Sequence, residues 1–383
     1  MIYQIIIAIG LVLFTVNALL NLRSLRTPNK RAQVPDPAPL VSILVPARNE
    51  QENIESCITS LQKQDYPNFE IIVLDDNSTD NTADIVRRIA RKDNRVRLIK
   101  GQLLLENWAG KPFACYQLAQ EAKGSWYLFV DADTFHAPFM LRSTLALAME
   151  LNTSLLSGFP RQLASGLAQK VAVPVPFYFF LMTTLPLWWI HRSRQPKPSL
   201  AIGQFFLFSR DAYWQVDGHR AVKSRILEDV WMAVEITRHS GRHIAVDLSN
   251  VVFCNMYSSV GTMWEGFIKW IHSVAAISPV ALLGLVVAGY CFFLAPFYWL
   301  WHDFIMTVPP TDWRFIVAFQ IALIFFMRIV VDLHFRNSFL AAPLHFFGFS
   351  FLFASALYGG WRQALHKGIA WKDRVYEEFS GVK

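Results

Sequence analysis

Val41-Ser42-Ile43-Leu44-Val45-Pro46-Ala47-Arg48-Asn49-Glu50 is apolar and β-branched in its first half and polar in its second. That composition suits a strand buried on both faces that ends in a functional turn. The pattern returns twice. Phe69 to Leu74 is followed by Asp75-Asp76-Asn77-Ser78-Thr79-Asp80, and Trp126 to Val130 by Asp131-Ala132-Asp133. A further strand is expected at Val96 to Lys100, and helical stretches lie between at Glu52 to Lys63, Asn81 to Lys92 and Pro112 to Lys123. Strand-helix alternation of this kind predicts right-handed crossovers and an α/β domain with a mostly parallel central sheet. Ligands of such sheets sit beyond the carboxyl ends of the strands, where the three polar clusters fall.

Two carboxylates one residue apart, Asp131 and Asp133, can offer oxygens to a hard divalent cation that also grips a diphosphate. Acidic residues are equally common as caps of strand-helix corners, and the Asp75 to Asp80 turn reads as an ordinary N-cap region as well. Asn77-Ser78-Thr79 also fits a glycosylation acceptor, a reading set aside for a domain expected in the cytosol. Lys111, just ahead of a helix, is a candidate protein cation for a diphosphate. Glu228 and Asp229 open another helix, where acidic residues favour the positive end of the dipole.

Outward from this middle region the chain becomes apolar. Hydrophobic residues make up 53% of the 383, and charged ones 17%, below the roughly 25% of an ordinary soluble domain. Ile2 to Leu20 has no charged side chain and approaches the roughly 20 residues of a spanning helix. Arg23, Arg26, Lys30 and Arg31 follow it, which predicts an anchor delivering the chain to the cytoplasm rather than a cleaved leader. Two or three more spans are expected within Trp270 to His302, Phe315 to Val331 and Asn337 to Trp361. Three full crossings would put the cations Arg362, Lys367, Lys372 and Arg374 outside the cytoplasm, so one of these stretches is expected to be re-entrant or interfacial. Arg328 and Asp332 read as an interfacial pair with a snorkelling arginine. Val171 to Ile190, interrupted by prolines and ending in Leu-Trp-Trp-Ile, suits the headgroup level.

The expected organisation is therefore an anchor at 1–22, a basic and proline-containing linker at 23–39, and a cytosolic catalytic domain at 40–260 that includes the interfacial segment 171–190. Membrane helices at 261–361 and a basic tail at 362–383 follow. The net charge of +7 sits beside apolar spans, so anionic headgroups explain it and nucleic acid is not expected. Four scattered cysteines make neither a disulfide framework nor a zinc site.

Val41 to Glu50, Asp75 to Asp80 and Asp131-Ala132-Asp133, with Gly110-Lys111-Pro112-Phe113-Ala114 and Leu227-Glu228-Asp229, together resemble the family 2 inverting glycosyltransferases of GT-A fold. The resemblance covers most of residues 39–257. It implies that Ala47, Asn49, Glu50, Asp76, Lys111 and Asp131 bind the nucleotide sugar, with Asp76 facing the base and Asp131 the ribose. Asp133, with Asp131, would hold Mg²⁺ or Mn²⁺, and Asp229 would be the general base. Glu228, Lys269 and Trp270 are candidates near the acceptor. The Gln-x-x-Arg-Trp signature of polymer-making members is altered here to Gly266-Phe267-Ile268-Lys269-Trp270, which argues against polymer synthesis.

The layout, Ala114-Cys115-Tyr116-Gln117 and the tail Ala370 to Tyr376 are similar to carotenoid-acid (4,4'-diaponeurosporenoate type), hopanoid-associated and ceramide lipid glucosyltransferases. That implies transfer of one sugar, glucose from UDP-glucose, to a membrane lipid by a multi-pass protein of the cell membrane whose catalytic domain faces the cytoplasm. A polyprenyl-phosphate glycosyltransferase and a catalytically silent nucleotide-binding membrane protein are the alternatives. Oligomeric state is not legible.

Overall fold

In this computed structural model the described residues are 2–193, 200–225, 227–239, 241–302, 313–365, 369–371 and 374–376. They form two compact units, 25–161 with 189–255, and 1–24 with 162–188 and 256–383. The tail cations Lys367 and Lys372 lie outside the described residues.

The first unit follows from period-two alternation. In β1 (Val41–Ala47), Val41, Ile43 and Val45 point into one core and Leu44 into another. β2 (Phe69–Asp75) divides Ile71 and Val73 from Ile72 and Leu74 in the same way. The strands β3 (Val96–Lys100), β4 (Trp126–Val130), β5 (Thr134–His136), β6 (Leu155–Phe159), β7 (Arg161–Gln162), β8 (Phe205–Ser209), β9 (His243–Asp247) and β10 (Val252–Cys254) follow. A seven-stranded sheet runs β3-β2-β1-β4-β8-β6-β9, with β8 antiparallel to both neighbours and the other pairs parallel. Helices cover both faces, Ile54–Gln62 and Thr82–Ala90 on one, Gly110–Glu121 and Glu228–Arg238 on the other. The expected elements are present with ends shifted by one or two residues. Only one shift matters for chemistry: the helix expected from Pro112 begins at Gly110, so Lys111 sits in its first turn.

The second unit is helical. Among the described residues four helices are long and apolar enough to cross a membrane: Ile2–Ser24, Pro279–Trp301, Arg314–His334 and Phe339–Ala364. The uncharged run that begins at Trp270 is divided, because Val260–Ile277 ends before Ser278. A residue ahead of proline is driven to extended backbone, and Ser278 caps the next helix by accepting a hydrogen bond from the Ala281 N–H at 3.1 Å. Three candidate spans thus lie in the C-terminal region, and length singles out none of them as re-entrant.

The segment 162–188 groups with these helices rather than with the sheet. Its Val173, Val175 and Phe179 are buried in one apolar cluster with Phe267, Phe293 and Phe349. Its prolines leave backbone carbonyls without their helical donors. Pro174 cannot serve Lys170, and Pro186 cannot serve Met182. Arg328 Nη2 donates to the Lys170 carbonyl at 3.2 Å, and Asn21 Nδ2 to the Met182 carbonyl at 2.7 Å. Arg328 is therefore not the snorkelling residue expected: it and Asp332 are both 0% exposed, paired at 2.6 Å. Filling an orphaned acceptor inside the unit overrides the pull of the surface. Gly348 belongs to the same construction, since a Cβ there would stand 2.5 Å from the Val171 carbonyl oxygen, which accepts from Arg328.

Candidate active site

Parallel pairing brings the polar turns together. Ala47 pairs with Asp75, and β4 lies along the other side of β1, so the loops leaving β1, β2 and β4 emerge side by side. Because β8 is antiparallel, Phe205 pairs with Val130, and the loop through Gly203 and Gln204 enters beside Asp131.

The turns after β1 and β2 brace each other. The Asp76 N–H donates to the Ala47 carbonyl at 2.8 Å, and Arg48 Nη1 donates to the Asp76 carbonyl at 2.7 Å. Asn49 and Asn77 have φ of 52° and 55°, a left-handed conformation that asparagine tolerates better than most residues. Asn49 Oδ1 accepts the Thr79 N–H at 2.9 Å, and the Glu50 N–H donates to Thr82 Oγ1 at 2.8 Å. Of the residues expected to bind a nucleotide sugar, Ala47 and Asn49 thus shape the turns, while Asp76 is buried between them at 7% exposure.

Lys111 is the hub. Its Nζ lies 2.6 Å from Asp131 Oδ1 and 3.3 Å from Glu228 Oε1, and donates to the Gly203 carbonyl at 3.2 Å. Burial opposes its charge, but Asp131 and Glu228 outweigh that and hold the ammonium well above the usual lysine range. The Gly203 N–H donates to Asp229 Oδ2 at 3.2 Å, and the Val230 N–H to Asp229 Oδ1 at 2.9 Å. A side chain at Gly203 would crowd this knot, its Cβ falling 3.2 Å from Lys111 Nζ and 3.4 Å from Glu228 Oε1.

Desolvation, reinforced by the Glu228 charge, raises Asp229 to about 7, with Val230 N–H, Lys111 and Gly203 N–H acting against it. A carboxylate poised near neutrality suits general-base work. The buried Cys115 thiol feels Lys111, Glu228, Asp131 and Asp76, which puts these four charges around one locality.

Asp133 lies near two buried cysteines. Its charge, with those of Glu50 and Asp131, reaches both Cys57 and Cys254. Burial, followed by these carboxylates, pushes both thiols up, away from the thiolate form. Asp131 and Asp133 are hard oxygen donors on a loop whose Asp131 oxygen already holds an ammonium, chemistry that fits Mg²⁺ or Mn²⁺. Among the described residues no group of three His, Cys, Asp or Glu is arranged to hold an ion unaided. An ion here would need oxygens from a bound diphosphate, as Mg²⁺ sites commonly do.

Lys269 and Trp270 belong to the other unit, on Val260–Ile277, where Trp270 packs against the apolar helical cluster and lines a crevice with Phe180, Leu282 and Phe349. Gly203 was missed by sequence reasoning. A glycine immediately ahead of an apolar strand, marking close backbone approach, was the available signal.

The profile described as Glycosyl transferase family 2 matches residues 42–217, a range that contains Asp76, Lys111, Asp131 and Asp133 and stops short of Glu228 and Asp229. The 4,4'-diaponeurosporenoate glycosyltransferase of Staphylococcus haemolyticus is 26% identical over 262 residues, 64% of this chain and 65% of that protein. The GalNAc(5)-diNAcBac-PP-undecaprenol beta-1,3-glucosyltransferase of Campylobacter jejuni is 34% identical over 95 residues, 25% of this chain and 30% of that protein. The chain thus spans less than two thirds of either relative. Among solved structures, the mannosyltransferase PcManGT of Pyrobaculum calidifontis, in complex with GDP-Man and Mn²⁺, is similar in fold. It has a TM-score of 0.52 and 18% identity, with 94% of this chain and 99% of that one covered. With its mixed, mostly parallel sheet and its acidic turns at the strand ends, the segment 42–217 is a glycosyl transferase family 2 domain of GT-A fold.

Proposed function

We propose that this protein transfers one sugar, glucose from UDP-glucose, to a membrane lipid with inversion at the anomeric carbon. The observation that carries the reading is the knot of Lys111, Asp131, Glu228 and Asp229 around Gly203, with a carboxylate poised near pH 7. Names of the relatives, a carotenoid-acid and an undecaprenol-linked glycosyltransferase, support a lipid or lipid-linked acceptor. The four apolar helices support a multi-pass protein, and the cations after the first of them support a cytoplasmic site.

In this reading Asp76 binds the uracil and Asp131 the ribose. Glu50 lies beside the donor, and Glu228 tunes Lys111 and Asp229. Asp133 and Asp131 are the residues that would hold Mg²⁺ or Mn²⁺, which, when bound, neutralises charge on the diphosphate. Asp229 accepts the hydroxyl proton of the acceptor as its oxygen bonds to the anomeric carbon, and the bond to the diphosphate breaks on the opposite face. Lys111 meets the charge that develops on the departing diphosphate. An ionised carotenoid carboxylate brings no proton, so with that acceptor Asp229 serves to orient. Lys269 and Trp270 are proposed to lie near the acceptor.

Membranes from cells with and without the protein, incubated with labelled UDP-sugars, test this. The expected product is a singly glucosylated lipid identified by mass spectrometry. Label on extracted polyprenyl phosphate instead favours the alternative acceptor, and no label with any UDP-sugar in Mg²⁺ or Mn²⁺ rejects transfer.

The pH profile is a second check. Since kcat/KM follows the free protein, it should fall as pH drops through about 7 and Asp229 takes up its proton. Lys111 favours the ionised form of Asp229, so Lys111→Met should move that acidic limb to higher pH while weakening donor binding. A limb that stays put in the variant would separate the two residues.

A further inference from the structure

The loop Asp131-Ala132-Asp133 is tied to a strand that arrives from much further along the chain. Cys254, the last residue of β10, pairs with Thr134 at the start of β5. The next residue, Asn255, donates its N–H to the Asp133 carbonyl at 3.3 Å. Side chains repeat the link. The Cys254 thiol is hydrogen-bonded to the Asp133 carboxylate, and Gln204 Nε2 donates to Cys254 Sγ at 2.9 Å. Cys254 is 0% exposed and Gln204 3%, and all three residues belong to the first unit.

The directions of these bonds follow from the groups. An ionised carboxylate only accepts, so the single proton of the thiol points at Asp133. The sulfur then has only lone pairs to turn toward Gln204, which must present its NH₂. The relay runs one way, from Gln204 through Cys254 to Asp133, and fixes the thiol rotor at its middle. A thiol is a weak donor, and a carboxylate has about four acceptor sites, so such a contact orients the group while competing little with a cation. We propose that Cys254, held by Gln204, is a positioning residue for Asp133, fixing its carboxylate in the orientation that a divalent ion carried by the nucleotide would meet. The inference rests on the reading of Asp133 as a metal ligand and adds to it the residues that aim the ligand.

The test titrates the full chain, in phosphatidylcholine nanodiscs with saturating UDP, with Mn²⁺, and counts the free ion by electron paramagnetic resonance. The parent is expected to bind Mn²⁺ saturably. Cys254→Val keeps most of the volume and lacks a donor, and should weaken binding about tenfold, the low end of the cost of losing a group that orients a metal ligand. Cys254→Ser retains a donor and should stay close to the parent. Gln204→Met should cause a smaller loss, and none beyond that of Cys254→Val when the two are combined, because it acts through the thiol. Melting temperature reports that each variant is folded, and Cys254→Ala carries the same comparison should valine not be accommodated. A folded variant without the donor that binds Mn²⁺ as tightly as the parent overturns the proposal and leaves the metal site standing. A serine variant as weak as the valine one overturns it too, since packing rather than the donor would then be responsible. A parent that binds no Mn²⁺ with UDP overturns the reading of Asp133 as a metal ligand, and this proposal with it.

Discussion

Asp229→Asn is expected to lower transfer to a hydroxyl-bearing acceptor by about 10²- to 10⁴-fold, the usual contribution of a positioned general base, and to leave UDP-sugar affinity unchanged. Asparagine keeps one oxygen, for the Val230 N–H that now holds Asp229 Oδ1 at 2.9 Å, and gives up the acceptor that the Gly203 N–H finds in Oδ2 at 3.2 Å. What it removes is the capacity to take a proton. The loss should therefore fall on kcat, and the acidic limb of the pH profile should vanish with it. Full activity with an alcohol acceptor in this variant would exclude Asp229 as the base.

Arg328→Met should destabilise the helical unit by about 3–5 kcal/mol, the cost of removing one partner from a buried ion pair. The change strands Asp332 at 0% exposure and strips the Lys170 carbonyl, which Pro174 cannot serve, of its donor. Arg328→Met combined with Asp332→Leu should recover much of the loss, because the uncompensated charge is then gone. Thermal melts in detergent, read by far-ultraviolet circular dichroism, distinguish the cases. Equal melting temperatures for the single variant and the parent would mean that the pair contributes nothing to stability.

The sheet was legible because buried parallel strands announce themselves as continuous apolar runs, and Val96 to Lys100 and Trp126 to Val130 lie where the pattern puts them. The neighbourhood of Asp131 and Lys111 was legible through the turns that end those strands. Two things were not. Gly203 contributes through its backbone and its lack of a side chain, which a glycine ahead of an apolar strand hints at without naming the groups it meets. Arg328 looked like a surface anchor since its main-chain partners, the Lys170 carbonyl orphaned by Pro174 and the Val171 carbonyl beside it, lie more than a hundred positions away. A residue whose role is to complete someone else's hydrogen bonds leaves little trace in its own neighbourhood of sequence.

In the proposed reaction, the ammonium resting on Asp131 would also set an order of events. A tethered positive charge at 2.6 Å would compete with any free divalent ion for that oxygen. Bare metal would have to evict it against an effectively high local concentration, whereas a metal already carried on a nucleotide would bring new negative oxygens for the displaced lysine to hold. Such a pocket would stay closed to stray cations and open to the loaded donor.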